Sequence, residues 1–148
     1  EQQTNFMDAN PNYSTCFTGG INLFPDGSYD PPKPNTWICN GWPVCPEVTL
    51  EEEMQDNCVT FGRMYRNRPN NMVTDWIVNN WQKSVWYNDW ACSYESAKHG
   101  RIKYLDFPST VYRIRPEGVY QGSPPAVRDE RIILQRAAML LDYQATNR

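Results

Sequence analysis

The sequence predicts an α-rich domain, with α+β as the alternative: about three helices, a disulfide-tethered irregular N-terminal coil, and room for one short β-hairpin. Three observations lead there. Seven of the twelve prolines fall within residues 1–46. Apolar residues recur at helical spacing in three later segments. Five cysteines, Cys16, Cys39, Cys45, Cys58 and Cys92, stand in a chain of 148 residues. That length suits one domain over 1–148, divided into a clasped coil or arm at 1–46 and a helical core at 47–148.

The first third contains Phe24-Pro25-Asp26-Gly27-Ser28-Tyr29-Asp30-Pro31-Pro32-Lys33-Pro34. Successive prolines remove backbone donors and push the residues before them out of helical geometry, so this stretch predicts coil. Asp26, Ser28 and Asp30 offer alternating oxygens. They lack the ligand series and the bidentate Glu of a calcium loop, and an Asp-Gly turn accounts for them more simply. No metal site and no cofactor are expected.

The first helix opens at Thr49, with Glu52 completing a capping box. Its apolar stripe runs through Leu50, Met54, Cys58, Phe61, Met64 and Tyr65. Glu51, Glu52 and Glu53 lie in the first turn and Arg63, Arg66 and Arg68 at the far end, which complements the helix dipole. A second helix is predicted from about Met72 to Tyr87, with Val73, Trp76, Ile77 and Val85 on one face. A third runs from about Ala126 to Tyr143 behind Ser123-Pro124-Pro125. There Val127, Ile133, Leu134, Ala137, Leu140 and Leu141 are expected to be buried, and Arg128, Glu130, Arg131 and Arg136 wet. Ile102–Phe107 and Thr110–Arg115 read as two short strands turning at Pro108-Ser109.

The net charge of −3 argues against a nucleic-acid binder. No apolar run approaches the roughly 18 residues of a membrane span. The sequon Asn12-Tyr13-Ser14, the cysteines and a chain beginning Glu1-Gln2-Gln3 together predict a processed, exported glycoprotein carrying its glycan on Asn12. An odd cysteine count leaves at least one thiol unpaired or bonded to another chain. Cys58 is expected to be buried or joined to Cys45, and Cys92 to pair with Cys16 or Cys39. One of those two N-terminal cysteines is then left for a cross-link.

Trp76, Trp81, Trp86, Tyr87, Trp90 and Tyr94 fall within nineteen residues, interleaved with Asn79, Asn80, Gln82 and Asn88. Flat rings beside amides suit a protein interface, a glycan or a core. Spacings of five, five and four drift around a helix, so some rings should leave a simple core face. His99 is the only histidine. Charge-relay triads and most zinc sites need a converging set with histidine in it, so no catalytic residue is assigned.

Two segments resemble known enzymes. Glu95-Ser96-Ala97-Lys98-His99-Gly100 is similar to the second active-site segment of T2-family ribonucleases, where Glu, Lys and His act on the scissile phosphate. That family's first segment ends Leu-Trp-Pro and carries a second His. Leu23-Phe24-Pro25 and Gly41-Trp42-Pro43 are the nearest counterparts, and neither has one. Cys58-Val59-Thr60-Phe61-Gly62-Arg63-Met64-Tyr65-Arg66-Asn67 is similar in spacing to the catalytic helix of secreted microbial phospholipases A2, with Phe61-Gly62 in place of the His-Asp pair. Both resemblances imply a hydrolase relative without its acid–base chemistry. With an odd cysteine and no catalytic set, the expected function is a secreted, non-catalytic structural or binding subunit. It joins a copy of itself or a partner chain, through a disulfide or without one. The alternatives are a degenerate hydrolase-like domain and a carbohydrate or small-ligand binder using the tryptophans.

Overall fold

The protein is represented by a computed structural model, which describes residues 1–30, 47–55, 62–67, 74–80, 83, 86–118 and 121–147. It is a mixed α/β structure rather than an α-rich one. In chain order the elements are α1 (Gln2–Ala9), β1 (Tyr13–Leu23), β2 (Glu47–Val48), α2 (Leu50–Gln55), β3 (Met64–Tyr65), α3 (Asp75–Asn80), α4 (Asn88–Ala97), β4 (Arg101–Arg113) and α5 (Pro125–Thr146). The four strands form one sheet in the order β2-β4-β1-β3. β1 and β4 run parallel at its centre, and the short edge strands β2 and β3 are antiparallel to them.

The N-terminal coil is the largest correction. Residues 2–23 make a helix and the central strand of the sheet. Every residue from Ser14 to Gly20 is buried, because a strand with neighbours on both edges and layers on both faces has no wet side to alternate towards. The prolines that suggested coil mostly follow this strand. Among them, Asp26-Gly27 makes the expected turn: Gly27 adopts φ 84°, and Asp26 Oδ1 accepts from the Ser28 N–H at 2.9 Å and from its hydroxyl at 2.6 Å.

The two strands expected around Pro108 are a single strand, so the hairpin expected there does not form. β4 passes through Pro108 with register shifts against β1, where Thr18 faces Leu105, Gly19 faces Pro108 and Gly20 faces Thr110. Extra residues bulge out of β4 where Pro108 lacks an N–H to pair. Beneath the bulge, the Thr18 and Ser109 hydroxyls are hydrogen-bonded at 2.5 Å, with Gly62 (φ 50°) pressed against both.

The first predicted helix is also cut short. Its capping box forms as expected: Glu52 Oε2 accepts the Thr49 N–H at 2.8 Å, and Thr49 Oγ1 accepts the Glu52 N–H at 3.2 Å. Yet Met64 and Tyr65, meant for its last turn, are strand β3 beside Thr15 and Cys16. Cys58 and Phe61 lie outside the described residues. Arg66 serves α1 instead of a helix end of its own. Its guanidinium donates to the carbonyls of Met7, Asn10 and Tyr13, so one side chain ties the end of α1 to the start of β1. The predicted second helix contains α3 and stops short of α4, which begins at Asn88.

α4 lies at the centre of the core, buried at every position from Trp90 to Ala97. On one side Ile77, Trp90, Ala91, Cys92, Tyr94 and Met139 pack together, and on the other Phe17, Val48, Ala97 and Ile102. Its buried polar groups find partners, as burial demands. Ser96 bonds Thr15 at 2.6 Å, Ser93 donates to the Asp89 carbonyl at 3.1 Å, and the Trp90 indole donates to the Glu53 carbonyl at 2.6 Å.

No disulfide forms among the described residues. Cys16 is fully buried in β1, with Gln3 Nε2 donating to its sulfur at 3.8 Å. Cys92 keeps its thiol hydrogen and donates to Asn88 Oδ1 at 3.8 Å. The expected pairing of Cys92 with Cys16 is therefore incorrect, and Cys16 lies too deep in the sheet to cross-link a neighbour. Cys39, Cys45 and Cys58 fall outside the described residues. Burial pushes both thiols above their usual range, which keeps them protonated and unreactive at neutral pH. Iodoacetamide at pH 7.5 should leave Cys16 and Cys92 unmodified in the folded protein and modify both in denaturant without reductant. Peptide mass mapping reads this directly; modification that required reductant would show that they are bridged.

Candidate interaction surface

Both faces of α5 carry apolar side chains, and the inward one is organised by polar groups. At its middle Gln135 is fully buried. Its carboxamide acts as a short strand for the segment before α4. Oε1 accepts the N–H groups of Trp86 and Tyr87 at 3.0 and 2.8 Å, and Nε2 donates to the Tyr87 carbonyl at 2.9 Å. One turn on, Met139 fills the core between Ile77 and Tyr94. One turn further, Asp142 and Glu95 each meet the Lys98 ammonium at 2.5 Å. Tyr94 donates to Asp142 Oδ2 at 2.7 Å and to the Met139 carbonyl at 3.1 Å.

The Lys98 group combines charge and aromatic contact. The ammonium sits 4.6 Å from the Tyr94 ring centre and 5.7 Å from that of Trp76, within the reach of a cation–π attraction. Burial first, and then the Asp142 carboxylate, hold the Tyr94 hydroxyl far above the usual phenol range. Two carboxylates around one ammonium leave that cation compensated and two of its three hydrogens committed. The geometry suits a clamp between α4 and α5, with partial burial keeping the desolvation cost of the ions down.

The outer face reverses the sequence expectation. Ile133, Leu134, Leu140 and Leu141, read as the buried stripe, are 64%, 39%, 48% and 67% exposed, while Gln135 and Met139 are buried. Ala137 lies exposed among the four. Residues three and four apart stand over one another on a helix, so these five side chains form one continuous apolar strip. Other exposed apolar residues, such as Val78 and Tyr29, sit on separate elements. Isolated ones are ordinary on a protein surface, whereas a contiguous strip such as this one is a candidate contact surface.

The aromatic residues singled out from the sequence do not gather into one exposed platform. Trp90 and Tyr94 are core residues. Trp76 is partly buried against Tyr94 at 5.4 Å, and Trp86 has the Arg131 guanidinium over its ring at 4.7 Å. Tyr87 packs against the main core, and Trp81 lies outside the described residues. Asn12 is exposed in the turn between α1 and β1, whereas Ser14 of its sequon is buried and donates to the Gly100 carbonyl at 3.0 Å. Of the ribonuclease-like segment, Glu95 and Lys98 belong to the clamp, and His99 is exposed just past α4.

Sequence reasoning missed Gln135 and Asp142 as organising residues. A signal existed: a Gln and an Asp seven apart, on the helix face opposite the apolar strip. What they pair with is remote, 44 residues away for Lys98 and 48 and 49 for Tyr87 and Trp86. The chain matches no protein-family model and shows no significant similarity to a curated protein or a solved structure.

Proposed function

We propose that this chain is a non-catalytic binding subunit that joins another protein chain non-covalently through the outer face of α5. One observation carries the proposal: four large aliphatic side chains and Ala137 share an outward face of a helix whose inner face is pinned by Gln135, Met139 and Asp142. Burying a Leu or Ile side chain contributes about 1.5–3 kcal/mol, so covering this strip offers several kcal/mol before the costs of association. A rigidly held helix loses little freedom when it docks, which lowers those costs. Export with a glycan on Asn12 remains part of the proposal, supported by the exposure of that side chain. The thiols of Cys16 and Cys92 remove those two cysteines from its support.

The double variant Ile133→Glu/Leu141→Glu tests the reading. Both positions are on the surface and Glu is a good helix former, so folding stability should change by no more than about 1 kcal/mol. In native-source extract the wild-type chain should run above its own 17.3 kDa on native size analysis, and the variant should run at it. A wild-type chain running at monomer size there, or a variant assembling as well as wild type, contradicts the proposal.

A further inference from the structure

We infer that the occupant of the α5 face is a second copy of this chain, with the two α5 helices packed antiparallel about Ala137. This rests on the reading of that face as a docking surface. The internal symmetry of the strip points to a second copy. Ile133 and Leu141 lie four residues either side of Ala137, and Leu134 and Leu140 lie three either side. A two-fold interface must be complementary to itself, with each patch meeting its own image. Reversing the helix about Ala137 does this. Ile133 and Leu134 then lie across from Leu140 and Leu141 of the partner subunit, and from Leu140 and Leu141 back to Ile133 and Leu134 of the partner subunit. At the crossing stands the smallest side chain of the strip, so the axes can approach closely.

Charge selects the direction. Glu130 and Gln144 are exposed on the same side of α5, seven residues before and after Ala137. In an antiparallel pair each Glu130 lies beside Gln144 of the partner subunit, an acceptor beside an amide donor. In a parallel pair the Glu130 carboxylates would face one another across the seam, and like charges there are unfavourable. The helix dipoles also favour opposed directions. The 22 residues of α5 make a rod about 33 Å long at 1.5 Å per residue, long enough to carry all these contacts within the helix.

The test uses the purified full-length chain. Light scattering over a concentration series should show the mass rising from that of one chain to that of two. Ala137→Glu sets two carboxylates against each other at the crossing and should weaken the pair at least about tenfold. Val78→Glu, at an exposed position on α3, should leave it unchanged. Direction is read by benzoylphenylalanine at Leu141 in an equal mixture of 15N- and 14N-labelled chains. Mixed-isotope cross-links should fall on residues 130–137. Cross-links centred on residue 141 would overturn the antiparallel arrangement. Suppose instead the purified chain stays a monomer throughout, while Ile133→Glu/Leu141→Glu still abolishes assembly in native-source extract. The second copy is then excluded and the docking face stands; if both samples are monomeric, both fall.

Discussion

Gln135→Leu is expected to destabilise the fold by about 2–4 kcal/mol, although it places an apolar side chain of similar size in a buried site. The carboxamide makes three hydrogen bonds to backbone groups of Trp86 and Tyr87. Leucine can make none of them. A buried donor or acceptor that loses its partner costs about 1–3 kcal/mol. The segment is only half-buried, so water recovers part of that and the total stays below the sum of three. For a chain of this length the loss corresponds to a fall in Tm of roughly 5–15 °C. Hydrogen exchange supplies a local reading: the amides of Trp86 and Tyr87 should exchange faster in the variant. If they exchange as slowly as in wild type, Gln135 does not hold this segment on α5.

Gly62→Ala is expected to cost a comparable amount, about 2–5 kcal/mol, for two separable reasons. Gly62 sits at φ 50°, where a Cβ adds about 1–2 kcal/mol. That Cβ would also stand 1.9 Å from Thr18 Oγ1 and 2.4 Å from Ser109 Oγ. Thr18 is buried in the central strand and bonded to Ser109, so neither oxygen can give way without breaking that contact. Forcing atoms into a packed site typically costs about 1–3 kcal/mol more. Adding Thr18→Ala removes the closer of the two clashes and frees the Ser109 hydroxyl to turn away. That should relieve much of the steric part and leave the backbone part. A double-mutant cycle by chemical denaturation should therefore find a coupling of about 1 kcal/mol or more between the two sites. Strict additivity would place the whole effect in the backbone.

What the sequence disclosed follows from where the information is local. The capping box at Thr49 and Glu52 closes within three residues, and α5 opens on a double proline and runs six turns, so both were legible. The orientation of α5 was not, because apolar side chains occupy both of its faces. Counting them favours Ile133, Leu134, Ala137, Leu140 and Leu141. The inward face is chosen instead by groups far along the chain: Trp86 and Tyr87 for Gln135, Tyr94 and Lys98 for Asp142. β1 was hidden for a different reason. Ser14, Thr15, Cys16, Thr18, Gly19 and Gly20 are small residues without alternation, and their burial depends on β4, whose pairing begins 88 residues later at Tyr13 and Arg101. Lys98 and Glu95 were visible as a pair three apart; only the fold adds Asp142.

The docking surface depends on the outward orientation of the α5 strip, and side-chain oxidation measures that orientation most directly. In dilute monomer exposed to hydroxyl radicals, Ile133 and Leu141 should oxidise readily. Met139, intrinsically the most reactive of the three, should stay protected until the protein unfolds. Rapid oxidation of Met139 together with protection of Ile133 and Leu141 would mean that the apolar strip faces the core, and would remove the docking surface with it.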